Sequence, residues 1–185
     1  MLRIVKYPNL ILEQVSLPVE LPLSNNNQDL IRNMFELVKD IGVGLAAPQV
    51  GQSKQLFIVH LSGDKNLSRE SSNNPDFVVI NPKITFYSNL ESQMIEGCLS
   101  FPDQYYKIWR PSNILIEFYT IANTKKFLEG AEPILKKTKL KASKWLSRIL
   151  QHEYDHLQGK VYIKMGGKKL SKKELDTENG QDIID

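Results

Sequence analysis

A chain of 185 residues, 41% hydrophobic and 24% charged, fits a single globular domain, alone or with a tail, that buries a core without cross-links. Its formal charge of +3 is too small, and its lysines and arginines too mixed with acids, to indicate a nucleic-acid partner. One cysteine, Cys98, excludes an internal disulfide, and there is neither a signal-peptide pattern nor an apolar run near about 18 residues; the expectation is a cytoplasmic protein off the membrane, an organellar one staying open.

Residues 2–24 carry Pro8, Pro18 and Pro22 and read as extended and loop structure wrapped round a core. Leu30, Met34, Leu37, Val38 and Ile41 recur at helical spacing and predict a helix from about Gln28 to Asp40. KQLFIVHL (54–61) reads as a strand, and DFVVINPKITFYS (76–88) as one or two more, with a polar loop between them. SNILIEFYT (112–120) predicts a further strand, and residues 125–141 read as strand pieces round a Gly130/Pro133 turn. SKWLSRILQHEYDHLQG (143–159) predicts a helix with Ala142 or Ser143 near its start and Gly159 at its C-cap. The pattern indicates an α+β domain over residues 1–165, mixed or antiparallel sheets packed round one central helix. A charged tail, 166–185, follows as a short helix or without fixed structure.

The predicted helix contains HEYDH. Residues four apart lie on one helix face, so His152 and His156 can reach one ion, while Glu153 sits about 100° round, placed for general-base work rather than ligation. A catalytic site of this type needs a third protein ligand and an open fourth position. No histidine follows His156, and Glu174 and Glu178 lie in the polar tail, so Cys98 in EGCLSFP is the candidate. A Cys-His-His set suits Fe(II), Zn(II), Co(II) or Ni(II). In GVGLAAPQVG (42–51), the small residues permit close backbone approach, and Gln49 is a carboxamide donor suited to an oxyanion.

Three stretches, GVGLAAPQ (42–49), EGCLS (96–100) and QHEYDH (151–156), in this chain order, resemble the peptide deformylase family; YPNLIL (7–12) and INP (80–82) match as well. The resemblance covers residues 3–165 and implies removal of the formyl group from the N-terminal methionine of nascent chains. It implies Cys98, His152 and His156 as ligands of one divalent metal, Fe(II) in the cell with Zn(II), Ni(II) or Co(II) in purified protein. Glu153 would be the proton shuttle, and Gln49 and the Leu99 N–H the oxyanion donors. Gly42 and Gly44 would let the peptide pair as an added strand, with Gly97 also at the substrate. An apolar slot for the methionine side chain is expected from Val43, Trp145 and Ile149.

Asp155, Glu96 and Arg110 are candidates to orient the ligands, with solvated surface charge an equal alternative; His60 is expected to have no role. Tyr105, Tyr106 and Trp109 read as packing or cleft rim. The chain departs from the family pattern in its long basic 121–143 segment, in ASKWLSR leading into the motif helix, and in a short charged C-terminus. A transient ribosome contact, not expected through that short terminus, and a monomer are the partner expectations besides N-formylmethionyl peptides. The competing readings are an HExxH metallopeptidase and an inactive metal-binding relative.

Overall fold

The computed structural model describes residues 2–61, 76–178 and the backbone of 183–184, so the polar loop expected at 62–75 lies outside the described residues, as do 179–182 and 185 of the final tail. In chain order the strands are β1 (Gly44–Ala46), β2 (Leu56–Val59), β3 (Phe77–Tyr87), β4 (Glu91–Glu96), β5 (Tyr106–Pro111), β6 (Asn113–Ile121), β7 (Leu135–Ser143), β8 (Lys168–Lys169) and β9 (Ile183–Ile184). The α-helices are α1 (Asn25–Val38), α2 (Thr124–Leu128), α3 (Lys144–Leu157) and α4 (Lys172–Thr177). One sheet runs β1-β2-β3-β6-β7 with every pair antiparallel, and a second runs β8-β5-β4-β9, where only the β4–β9 pair is parallel. This is an α+β fold with α3 central. Among the described residues no helix is long and apolar enough to cross a membrane.

Strand periodicity explains the layering. Successive side chains point to opposite faces, and β2 is buried on both. Leu56 and Ile58 join the cluster on α1 with Ile31, Met34 and Val38, whereas Phe57 and Val59 join the cluster on α3 with Ile149, Leu150 and Leu157. The first sheet is therefore sandwiched between α1 and α3. A third cluster, Leu12, Cys98, Phe101, Ile108, Val161 and Tyr162, sits between the second sheet and the chain's start.

Some elements depart from the sequence reading. Helix α1 begins at Asn25, because the Ser24 hydroxyl accepts the Asn27 N–H and sets the start earlier than the apolar spacing alone suggests. Residues 77–87 form one strand with register shifts between Ile80 and Lys83 and between Ile84 and Phe86. The 121–143 segment folds as α2, capped by Asn123, and then as one nine-residue strand pairing with the whole of β6. On that edge strand Lys136, Lys137, Lys139 and Lys141 are exposed, which discourages pairing with another chain. Strands β4 and β5 were not foreseen.

Helix α3 ends at the cap residue Gln158, and Gly159 follows at φ +66, just beyond the position expected for it. There the chain's start packs on the helix end: Ser16 N–H donates to Leu157 O at 2.9 Å. A Cβ on Gly159 would lie 2.6 Å from Glu13 O. Gly159→Ala is therefore expected to lose about 2 kcal/mol or more of stability, from left-handed strain plus displacement of the N-terminal segment. Urea unfolding checks this; an unchanged midpoint would contradict the contact.

Candidate metal centre

Helix α3 starts where Ser143 leaves β7 and buries Trp145, Ile149, Leu150 and Leu157. The same buried face carries His152, Glu153 and His156 at 4%, 3% and 2% exposure, an unusual set of polar groups for a core-facing stripe. Cys98, just after the end of β4, meets them. Its Sγ, with one ring nitrogen from each histidine, makes a set of three atoms within 4.8 Å of one another. The Cys98 Sγ to His156 Nε2 separation is 3.4 Å. A tetrahedral ion with ordinary zinc–sulfur and zinc–nitrogen bond lengths would hold two such ligands about 3.5 Å apart. The donor chemistry and spacing fit a divalent metal.

His152 is oriented from behind. Its Nδ1 donates to Glu96 Oε2 at 2.9 Å, which leaves Nε2 for the cluster. Burial opposes charging His152, but the Cys98 and Glu96 contacts together outweigh it and raise its pKa well above the usual range. His156 is pushed well below that range by burial and by the neighbouring His152. The Tyr162 ring lies 5.5 Å from the His152 ring, and its hydroxyl donates to Gln104 O.

Glu96 is 0% exposed and accepts four hydrogen bonds. Oε1 receives Arg110 Nε at 2.6 Å and Arg148 Nη1 at 2.9 Å; Oε2 receives Arg110 Nη2 at 2.9 Å besides His152. Arg110 Nη1 also donates to Asp155 Oδ2 at 2.5 Å. Burial penalises the Glu96 charge, yet Arg110 and His152 more than offset that and hold its carboxyl well below the usual range. Solvated surface charge is thus not the state of Glu96 or Arg110. For Asp155, at 14% exposure, the Arg110 contact decides likewise.

The Gln49 turn and the Cys98 loop are held together by the chain's start. Val5 N–H donates to Gln49 O at 2.7 Å and Tyr7 N–H to Ser100 O at 3.0 Å. Lys6 Nζ donates to Leu99 O between these two contacts. Gln49 Oε1 accepts the Ala46 N–H at 2.8 Å, and this aims Nε2 at Cys98 Sγ, 3.3 Å away. Glu153 lies against β1, where a Cβ on Gly44 would come 2.5 Å from Glu153 Oε1. Burial pushes the Glu153 carboxyl up to about 7, and its Oε2 has no hydrogen-bond partner.

Cys98, His152, His156, Glu153 and Gln49 are brought together, with Gly44 beside Glu153 and Leu99 adjoining Cys98. Gly97 is buried between β4 and Cys98, and half-buried Gly42 and Val43 lead into the edge strand β1. Ile149 and Trp145 are in the core, at 0% and 8% exposure, with Val43 packed against their cluster. A cavity of about 430 Å³ lined by Leu61, Phe77, Phe118, Leu140 and Leu146 includes none of these three and none of the ligands. His60 Nδ1 is 2.9 Å from Asp76 Oδ2, away from the cluster. Tyr106 packs edge-on to Tyr162, and Trp109 is 60% exposed. Arg148 was missed. The available signal was an arginine one turn before His152, on the side of the helix that carries the motif.

Removing Glu96 would strand two buried guanidinium groups. Glu96→Ala is expected to cost about 3–5 kcal/mol, and denaturant unfolding checks it. A loss under about 1 kcal/mol would show that water or rearrangement satisfies Arg110 and Arg148.

Comparison with known proteins agrees with this geometry. The family profile described as Polypeptide deformylase matches residues 1–173. A peptide deformylase of Borreliella burgdorferi is 37% identical over 176 residues, covering 94% of this chain and 93% of its own. One from a Wolbachia of Drosophila simulans is 36% identical over 157 residues, covering 83% and 79%. Among solved structures, a Legionella pneumophila peptide deformylase superposes with a TM-score of 0.72 at 30% identity, over 96% of this chain and 95% of that one. A Synechococcus elongatus peptide deformylase in complex with actinonin gives 0.71 at 29%, over 95% and 82%. With a family profile spanning nearly the whole chain and relatives above 30% identity along its length, this protein belongs to the polypeptide deformylase family.

Proposed function

We propose that this chain hydrolyses the N-formyl group from the N-terminal methionine of nascent polypeptides, releasing formate, at the Cys98–His152–His156 cluster. The observation that carries the reading is the convergence of those three ligand atoms with Gln49 Nε2 and the buried Glu153 carboxyl. Cys98, His152 and His156 would hold one divalent ion, Fe(II) in the cell, with Zn(II), Ni(II) or Co(II) able to replace it. When bound, that ion supplies Lewis-acid activation of water and of the formyl carbonyl.

The chain's own residues do the rest. Glu153 takes a proton from the attacking water and delivers it to the departing amine nitrogen. Its buried, weakly acidic carboxyl suits a group that must both accept and donate. Gln49 Nε2, held by its Oε1 bond to Ala46, donates to the oxygen on which charge develops, and the Leu99 N–H adds a second donor. Water adds to the formyl carbon, the carbon–nitrogen bond breaks, and formate and a free amine leave. The peptide pairs along the open edge of β1 at Gly42–Gly44 and beside Gly97. The methionine side chain rests on Val43 over a floor of Trp145 and Ile149. Residues 1–165 hold this apparatus, and the protein acts as a monomer.

With protein prepared anaerobically with Fe(II), formate release from formyl-Met-Ala-Ser is the direct test; none from the intact, metal-loaded chain rejects the reading. Glu153→Ala is expected to lose about 10²–10⁴-fold in kcat with metal content retained. Full activity in that variant removes Glu153 from the mechanism. Gly44→Ala forces Glu153 aside and is expected to lower kcat about 10²-fold, again with metal bound.

A further inference from the structure

Arg148 lies one turn before His152 on α3, at 1% exposure, and the mechanism above makes no use of it. Its Nη1 donates to Glu96 Oε1 and to Ile108 O, both at 2.9 Å, and its Nη2 donates to Ser92 O at 2.6 Å. Two carbonyls of the second sheet thus fix the guanidinium against the same carboxylate oxygen that Arg110 Nε already occupies. Arg110 and His152 already give Glu96 three hydrogen bonds and Arg110 already neutralises its charge, so a second buried cation adds one bond at a cost in desolvation. Its consequence is electrostatic: one carboxylate charge faces two guanidinium charges.

A carboxylate accepting from a ligating histidine makes that histidine a stronger donor to metal. Cations on the carboxylate act the other way, and a positive charge one helical turn from the ligand also repels a dication. We propose that Arg148 is a positioning residue that drains charge from Glu96, so that His152 is held in its Nδ1–H tautomer by a partly neutralised acceptor. The centre then binds its ion less tightly and polarises it more than a Glu96–Arg110 pair alone would. This rests on Cys98, His152 and His156 being the metal ligands.

The test compares Arg148→Gln and Arg148→Met, which remove the charge, with Arg148→Lys, which keeps it. Metal-free full-length proteins are titrated with Co(II) against a chelator of known affinity, and the visible Co(II) absorption is recorded. The charge-removing variants are expected to bind Co(II) about 10-fold more tightly with shifted bands, and Arg148→Lys to stay within about twofold of the parent. Equal or weaker binding by the Gln and Met variants, or their failure to fold, makes Arg148 structural and overturns the proposal. So does a Lys variant that behaves like them. A parent that takes up no Co(II) overturns the metal-centre reading itself, which separates the two failures.

Discussion

The Glu96 carboxylate is fully buried and receives hydrogen bonds from Arg110, Arg148 and His152. An isolated carboxylate there would be prohibitive, since desolvating an ion costs several kcal/mol after relaxation. The surrounding structure satisfies it with three residues from two elements: Arg110 on β5, and Arg148 and His152 on α3. The same contacts tie the second sheet to the central helix and fix the ring plane of His152. Architecture and chemistry meet in one ion cluster, and Cys98, two residues beyond Glu96, inherits its position from it.

A second constraint comes from the chain's start. Val5, Lys6 and Tyr7 bind the backbone of Gln49, Leu99 and Ser100. Neither loop has regular structure of its own long enough to hold a donor to a fraction of an ångström. The brace supplies that precision, and the missing side chain at Gly44 leaves room for the Glu153 carboxyl beside the sheet edge.

Much of the fold was legible because its signals are local. The apolar spacing of α1 and α3 and the unbroken apolar run of β2 all read correctly in type. The misses have physical causes. ESQMIE and YKIWRP carry too few apolar residues to read as strands, because one face of that hairpin holds the ion cluster and the other meets solvent. Residues 135–143 read only as strand pieces beside a turn rather than one continuous strand, since an edge strand can carry lysines at exposed positions while Leu140 and Ala142 pack inward. Arg148 escaped notice because a lone arginine on a helix is ordinarily solvated.

Helical geometry is local, so the i and i+4 spacing alone put His152 and His156 on one face and Glu153 off the ligand line. Scarcity of alternatives pointed to Cys98, and the motifs round it to the family. What the sequence could not decide was everything needing long-range approach: which groups lie behind the two histidines, which are buried, and how far apart they sit. Burial and charge pairing arise only when strands and helices distant in sequence pack together. Tertiary structure alone turned Glu96 and Arg110 from ambiguous surface charges into the buried support of the site, and brought Arg148 to them.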